Sequence, residues 1–174
     1  MDNVAQIRRL IEEVWEQGKV DVADEILAPD IVNHDLMPGA KDGLAGFKHH
    51  VEDLRGGSSD LHLKVEFLFG AGEWVTARWR WQGIHDGPIF GIPPSGRRLD
   101  VPQLAVWRFQ NGKAKEFWQR SDETGMVIQM GIIPERGANP LWNLLFIAGS
   151  TMRMGVRQMR YKLRKRSSSR MGAS

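Results

Sequence analysis

The spacing of hydrophobic residues changes once along this chain, near residue 60, and this change restricts the possible folds more than any other feature. Before it, apolar residues recur every three or four positions, as on one face of an α-helix. The clearest of these are Val4, Ile7, Ile11, Val14, Leu44, Phe47, Val51 and Leu54. After it, apolar and polar residues alternate from Leu61 to Phe69, as in a half-buried strand. Helices followed by antiparallel strands predict an α+β fold.

Turn residues divide the two halves into individual elements. Gly18 and Pro29 separate a first helix, a short second helix that Asp21 can cap, and a short extended piece at 31–35. The remaining predicted elements are a third helix at 44–54, strands at 61–69, 75–82, 99–109 and 114–121, and a short closing helix at 124–130. Asn111-Gly112 between two apolar runs is a strong hairpin signal. The Gly- and Pro-rich stretch at 83–96 predicts an irregular loop.

Three helices with apolar stripes need an apolar surface to cover, and a curved sheet supplies one. We therefore expect a strongly bent antiparallel sheet with the three N-terminal helices across its concave side. Such an arrangement encloses a cone whose interior is partly filled by side chains and partly free for a ligand. We expect one domain over residues 1–134 and a separate tail over 135–174.

Four segments of the chain together carry a resemblance to a known family. They are VNHD at 32–35, KDGLAGFKHH at 41–50, ARWRWQGIHDGPIFGIPPSGRRL at 77–99 and RFQNGKAKEFWQRSDETGMVIQMG at 108–131. Together they resemble the SnoaL-like polyketide cyclase family of the NTF2-like superfamily. The resemblance implies a cone-shaped α+β barrel that is often a homodimer, with an open-ended apolar pocket for a small hydrophobic or polycyclic carbonyl ligand. It also implies that no metal or organic cofactor is used.

Asp122 is the leading candidate for chemistry. The resemblance implies that an Asp at this position acts as acid and base in an intramolecular aldol ring closure. A carboxyl group in an apolar setting can remove a proton from a carbon between two carbonyls and later return it. Phe117-Trp118 precede Asp122 and Met126-Val-Ile128 follow it, which makes such a setting plausible. The alternative is that Asp122 caps the helix at 124–130.

Two histidines are further candidates. His34, in the short extended piece, could bind a substrate carbonyl or orient Asp122, or could simply satisfy nearby backbone groups. His85, in the irregular loop, could line the mouth of the pocket and bind substrate. His49 and His50 follow each other on the third helix beside acidic residues, which favours a solvated face.

Aromatic and basic residues of the strands complete the candidate site. Arg78 and Arg80 share one face of their strand, and Trp79 and Trp81 share the other. The pattern leaves open which pair faces the cone, and Trp79 and Arg80 are both candidate substrate contacts. Trp118 is a third; it shares a face with Arg120 and Asp122 if that strand stays regular. A tryptophan-rich cone suits flat polycyclic ligands, although core packing is the commoner use of Trp.

The chain departs from the family's catalytic pattern at two points. Some of these cyclases pair the acid with a His on the preceding strand, which here, at 103–109, contains none. The family's Glu-His-Trp element reads Glu116-Phe117-Trp118. One alternative is a non-catalytic module that binds a hydrophobic ligand or dimerises.

An epoxide hydrolase, with Arg98 held between Asp100 and Asp122, is a second alternative. The only Tyr, Tyr161, lies outside the domain, which disfavours ketosteroid isomerase chemistry.

The charge distribution separates the tail from the domain. Of 24 Lys and Arg residues, nine lie after residue 135, where no acid occurs. Apolar residues from Leu141 to Leu163 recur at helical spacing beside a row of arginines, which predicts a basic amphipathic helix with a disordered end at 164–174. Such a helix could lie on an anionic membrane surface or pack on protein. The acidic domain disfavours nucleic-acid binding.

Composition excludes several other classes. The chain has no Cys, which rules out disulfides and thiolate metal sites, and its His spacing suggests no zinc site. The charged N-terminal helix is unlike a signal peptide, and no apolar run has the length of a membrane span. We therefore expect a cytoplasmic protein, membrane-associated at most through its tail.

Overall fold

A computed structural model describes residues 2–36, 40–134 and 140–171 of the chain, without the side chains of 140–143 and 164–171. Its helices are α1 (Asn3–Arg9), α2 (Ala23–Ile26), α3 (Gly43–Gly56), α4 (Glu123–Gln129) and α5 (Pro140–Met171). Its strands are β1 (Leu27–Asn33), β2 (His62–Ala71), β3 (Trp74–Ile84), β4 (Arg98–Gln110) and β5 (Lys113–Ser121). The α+β fold predicted from the change in periodicity is confirmed.

The N-terminal helices form where the apolar stripes predicted them. Asp2 caps α1, which continues as a π-helical segment over Leu10–Glu16. A short 3-10 turn then leads into α2. Arg55 of α3 closes the end of the π-helical segment, because its guanidinium donates to the carbonyl oxygens of Trp15 (2.8 Å) and Glu16.

The five strands form one sheet in the order β1-β5-β4-β3-β2. The sheet is curved and does not close on itself. The pairs β2 with β3, β3 with β4 and β4 with β5 are antiparallel, whereas β1 pairs with β5 in parallel. The β4–β5 hairpin turns at Asn111 (φ 52°) and Gly112 (φ 79°), as their sequence predicted.

One face of the sheet carries the core. Trp79, Trp81 and Trp107 project from this inner face and are almost completely buried, packed among side chains of the π-helical segment and α3. Arg78 and Arg80 lie on the opposite, outer face, where Arg78 pairs with Glu66 (2.5 Å). The structure thus settles which residues of β3 face the cone: the tryptophans do, and the arginines do not.

The tail forms a longer helix than the sequence predicted. The backbone of α5 extends to Met171, so the prediction of disorder from residue 164 is wrong as far as 171; residues 172–174 lie outside the described part. The physical reason is that no Pro or Gly follows Gly155 before Met171, and Ser costs only a few tenths of a kcal/mol in a helix, roughly. Among the helices of the described residues, none is long and apolar enough to cross a membrane.

Arg55→Gln should lower the free energy of unfolding by about 1.5–3 kcal/mol, because it leaves two helix-terminal carbonyls without their charged donor. Urea denaturation measures this. The matched control is Arg8→Gln, which removes an exposed pair with Glu12 (3.8 Å) and should cost less than about 0.5 kcal/mol. Equal losses in the two variants would show that Arg55 does not hold α3 against the N-terminal helix.

Candidate functional site

An open cleft lies between the inner face of the sheet, α3, α4 and the chain that follows β1. This main cleft encloses about 850 Å³ of atom-free space, including the part open to solvent. Aromatic and aliphatic side chains supply much of its wall. They are Phe47, Leu54, Trp81, Phe90, Phe117 and Met126. An apolar cleft at the mouth of a curved sheet, as expected from the sequence, is therefore present.

The third helix brings a histidine into this cleft. His50 follows Phe47 by three positions on α3, so both lie on the buried stripe. The imidazole stacks on Phe90 (centroids 5.0 Å apart) and meets the edge of Trp15 (5.6 Å). Burial lowers the pKa of His50 below its ordinary 6.5, so the ring is neutral at pH 7. The prediction of a solvated face is wrong for His50, although His49 is exposed.

Strands β4 and β5 supply the polar groups of the cleft floor. Gln103 is buried and donates from Nε2 to Oγ of Ser121 at 2.6 Å. Its Oε1 has no hydrogen-bond partner among the described residues. Because a buried amide oxygen without a partner is costly, this atom is suited to accept a hydrogen bond from a ligand hydroxyl.

Three carboxylates border the cleft, those of Asp35, Asp42 and Glu123, and the first two are engaged by local bonds. Asp35 accepts from the Gln119 amide (3.0 Å) and pairs with Arg120 (2.6 Å). Asp42 accepts from the amides of Asn33 (3.0 Å) and Gly43 (2.8 Å), which caps α3. These bonds hold the rim of the cleft, and they leave Asp35 and Asp42 less free for proton transfer than the His50 ring.

Asp122 lies just outside the main cleft. Its carboxylate is exposed and accepts from the Gly125 amide (2.8 Å), which caps α4. Its two neighbours, Ser121 and Glu123, do line the cleft. Asp122 therefore caps α4 in this structure. A role of Asp122 in chemistry stays a prediction.

His34 and Trp118 meet each other on the outer face. The two rings stack with centroids 4.4 Å apart, and His34 Nε2 lies 2.8 Å from Oε2 of Glu116. The hydrogen bond with His34 is the main cause that lowers the pKa of Glu116, and the hydrogen bond with Arg108 lowers it further. Neither His34 nor Trp118 is part of the cleft wall, so their predicted contact with substrate has no geometric support in the described residues.

The other predicted contacts are also placed away from the cleft. His85 is fully buried; its Nδ1 accepts from the Ser95 amide (3.3 Å), and burial lowers its pKa. Trp79 packs in the core against Trp107 (5.9 Å), and Arg80 pairs with Asp100 on the outer face (2.7 Å). The structure therefore does not bring the six predicted site residues together.

The epoxide hydrolase arrangement is not assembled either. Arg98 pairs with Asp60 (3.2 Å), whereas Asp100 pairs with Arg80 and Asp122 caps α4. Among residues 2–36, 40–134 and 140–171, no group of three or more His, Asp or Glu could hold a metal ion.

Sequence reasoning missed Gln103, His50 and Gln119 as cleft residues. The sequence contained a signal for each of them. Gln103 alternates in step with Val101 and Ala105, and Gln119 in step with Phe117, so each lies on the same strand face as those apolar residues. His50 follows Phe47 by three positions, which places both on one face of a helix. Polar residues at core-facing positions were the feature to look for.

Comparisons with known proteins point to one family. Residues 5–130 match the family model described as SnoaL-like polyketide cyclase. The chain is similar to nogalonic acid methyl ester cyclase of Streptomyces nogalater, with 30% identity over 116 residues, 66% of this chain and 87% of that protein. It is also similar to aklanonic acid methyl ester cyclase DauD of Streptomyces sp. (strain C5), with 29% identity over 72% of this chain and 79% of the relative.

A solved structure shares the fold. TsrD from Streptomyces laurentii superposes with a TM-score of 0.67 at 27% identity, covering 75% of this chain and 98% of that chain. In each comparison, about a quarter to a third of this chain stays uncovered.

Proposed function

Because the chain belongs to the SnoaL-like polyketide cyclase family, we propose that it closes a carbon–carbon ring in a polyketide-like carbonyl compound bound in the main cleft. The reaction is an intramolecular aldol addition that needs no cofactor. The relatives are named for the methyl esters of nogalonic acid and aklanonic acid. A wall of Phe, Trp and Met side chains suits a flat polycyclic ester.

The observation that carries this proposal is a neutral imidazole inside an apolar cleft. A carbon between two carbonyls is acidic enough for a weak base to take its proton. The neutral His50 accepts that proton, and the resulting enolate carbon attacks a second carbonyl of the same molecule. His50, now protonated, returns the proton to the new alkoxide, so the step is balanced without another reactant.

Gln103 and the aromatic walls supply the positioning. The unpartnered Gln103 Oε1 accepts a hydrogen bond from a substrate hydroxyl, which orients the ring system on the cleft floor. The aromatic walls hold the two reacting carbons together, and such positioning accounts for much of the rate in an intramolecular reaction.

Asp122 is the competing proton carrier. It lies between two residues of the cleft wall, and its carboxylate reaches the ligand only if it leaves the cap of α4. The non-catalytic alternative, a ligand-binding module, is favoured by the same capping bond, because a carboxylate held at a helix N-terminus is not poised for proton transfer.

Two single variants separate these assignments. His50→Gln should lower kcat for aklanonic or nogalonic acid methyl ester by about 100- to 10,000-fold, the usual contribution of a positioned acid/base. Asp122→Asn keeps the cap, since Asn is an equally good N-cap residue, and should leave kcat and the melting temperature unchanged. In the wild-type protein, kcat/KM should fall as the pH drops through the His50 pKa, at a midpoint below 6.5, because only the neutral ring accepts a proton.

The opposite pattern would contradict the assignment. If Asp122→Asn abolishes turnover while His50→Gln retains it, Asp122 is the proton carrier. If neither ester is turned over but calorimetry detects binding of both, the chain is a ligand-binding module.

We further propose that two copies of the chain pair through the outer face of the sheet. This face carries large apolar side chains, including Phe69 (60% exposed), Trp74 (45%) and Leu104 (40%), between rows of charged residues. A mixed face of this kind is suited to a self-complementary interface.

Leu104→Glu should convert a dimer to a monomer in sedimentation velocity. Leu104 lies opposite Arg78 and Arg120 in the sheet register, so the new carboxylate is compatible with the folded monomer. Ile133→Glu, at similar exposure outside the sheet, is the matched control and should remain dimeric. A monomeric wild-type protein, or a dimeric Leu104→Glu variant, would end this proposal.

For the tail, we propose contact with an anionic membrane surface. The side chains of Met152 (75% exposed), Met159 (66%) and Leu163 (58%) form an uncovered apolar stripe on α5, beside several cations. This combination is typical of helices that lie in a lipid interface.

Co-sedimentation with phosphatidylglycerol vesicles should be strong for the full chain. It should be lost in the double variant Met152→Gln, Met159→Gln, because the apolar stripe is removed while the net charge of α5 is kept. Phosphatidylcholine vesicles are the control for lipid charge. Unchanged binding by the double variant would contradict insertion of this stripe.

A further inference from the structure

A second cleft lies where α5 passes the domain. The domain contributes Ser95, Arg97, Met130 and Gly131, and α5 contributes Ser150, Arg153 and Arg157. We call this site the arginine cleft; it encloses about 440 Å³ of atom-free space, including the part open to solvent. Its described lining contains cations and hydroxyls and no acid, in contrast to the ion-paired arginines elsewhere on the domain.

The guanidinium groups are brought in by local geometry. Ser150, Arg153 and Arg157 follow one another at three and four residues, so they share one face of α5. Glycines let the arginines lie against the backbone of the domain. A Cβ at Gly96 would lie 3.0 Å from Nη1 of Arg157, and one at Gly131 would lie 2.7 Å from Nη1 of Arg97.

The donors left for a ligand are those of the arginines. Ser95 is buried and its hydroxyl bonds to Nδ1 of His85 (3.1 Å), while the Ser150 hydroxyl donates to the Ile147 carbonyl (2.9 Å). Arg97 uses one N–H on the Gln129 carbonyl (3.3 Å). Arg153 and Arg157 make no ion pair within 4 Å among the residues that the structure describes.

Three cations that converge repel one another, and a multiply charged anion relieves that repulsion. A phosphate monoester carries close to two negative charges and has three acceptor oxygens, which match several guanidinium forks at once. A carboxylate has one charge and two oxygens and would leave at least one arginine unmatched. We propose that the arginine cleft binds a phosphate group.

Binding has a structural consequence. Arg97 belongs to the domain and Arg153 and Arg157 belong to the tail helix, so a phosphate held by all three ties α5 to the domain. The site is distinct from the main cleft, and the proposal does not depend on the chemistry of that cleft. The phosphate can belong to a soluble compound or to a lipid headgroup.

Titration calorimetry of the full chain with inorganic pyrophosphate tests the site. We expect saturable binding that weakens about tenfold or more in Arg97→Gln and in Arg157→Gln, since each loses charge-assisted hydrogen bonds. Arg160→Gln, which removes the same charge from the same helix outside the cleft, should change the affinity less than twofold. Equal losses in all three variants would show diffuse attraction to a basic helix and overturn the proposal, as would the absence of binding.

Vesicles containing phosphatidic acid identify the source of the phosphate. If a lipid headgroup occupies the cleft, Arg97→Gln weakens vesicle binding about tenfold more than Arg160→Gln does. If these two variants bind vesicles alike while pyrophosphate binding keeps its dependence on Arg97, the occupant is a soluble phosphate compound. Both results support the site, and a melting temperature equal to that of the wild type in each variant excludes unfolding as the cause of lost binding.

Discussion

Burial of the inner face of the sheet is the interaction on which the rest of this structure depends. Alternate residues of β3 and β4 turn tryptophans and small aliphatic side chains to that face, and the N-terminal helices cover them. Since the sheet is curved and unclosed, the helices cover one part of the face and leave the part near α3 and α4 open. The main cleft is this uncovered part, so its apolar walls continue the core.

The same alternation decides which polar groups of β5 face the main cleft. Phe117, Gln119 and Ser121 of β5 point inward, whereas Trp118 and Arg120 point outward. Asp122 comes directly after Ser121, so continued alternation would place it on the outer face. Its carboxylate instead caps the N-terminus of α4. The proposed proton carrier, His50, is therefore on α3, at a position of the buried stripe of an amphipathic helix.

The main cleft and the arginine cleft differ in their electrostatics. The main cleft has apolar walls, a neutral imidazole and glutamine amides, with charged side chains (Asp35, Lys41, Asp42 and Glu123) also along its lining. Its apolar part suits an uncharged carbonyl compound. The arginine cleft is cationic and suits a phosphate group. The proposed phosphate site lies where α5 passes the rest of the chain.

Local sequence patterns determined the classes of the elements, their order, the β4–β5 hairpin and the position of the basic helix, because periodicity, caps and turn residues act over a few positions. The Trp-inward face of β3 was left open, since alternation separates two faces without saying which one is covered. Tertiary structure decided that question, and with it the places of Arg80, His34 and Trp118 on the outer face. It also moved His50 into the cleft, because the burial of one side of α3 depends on what packs against it, which no local pattern specifies.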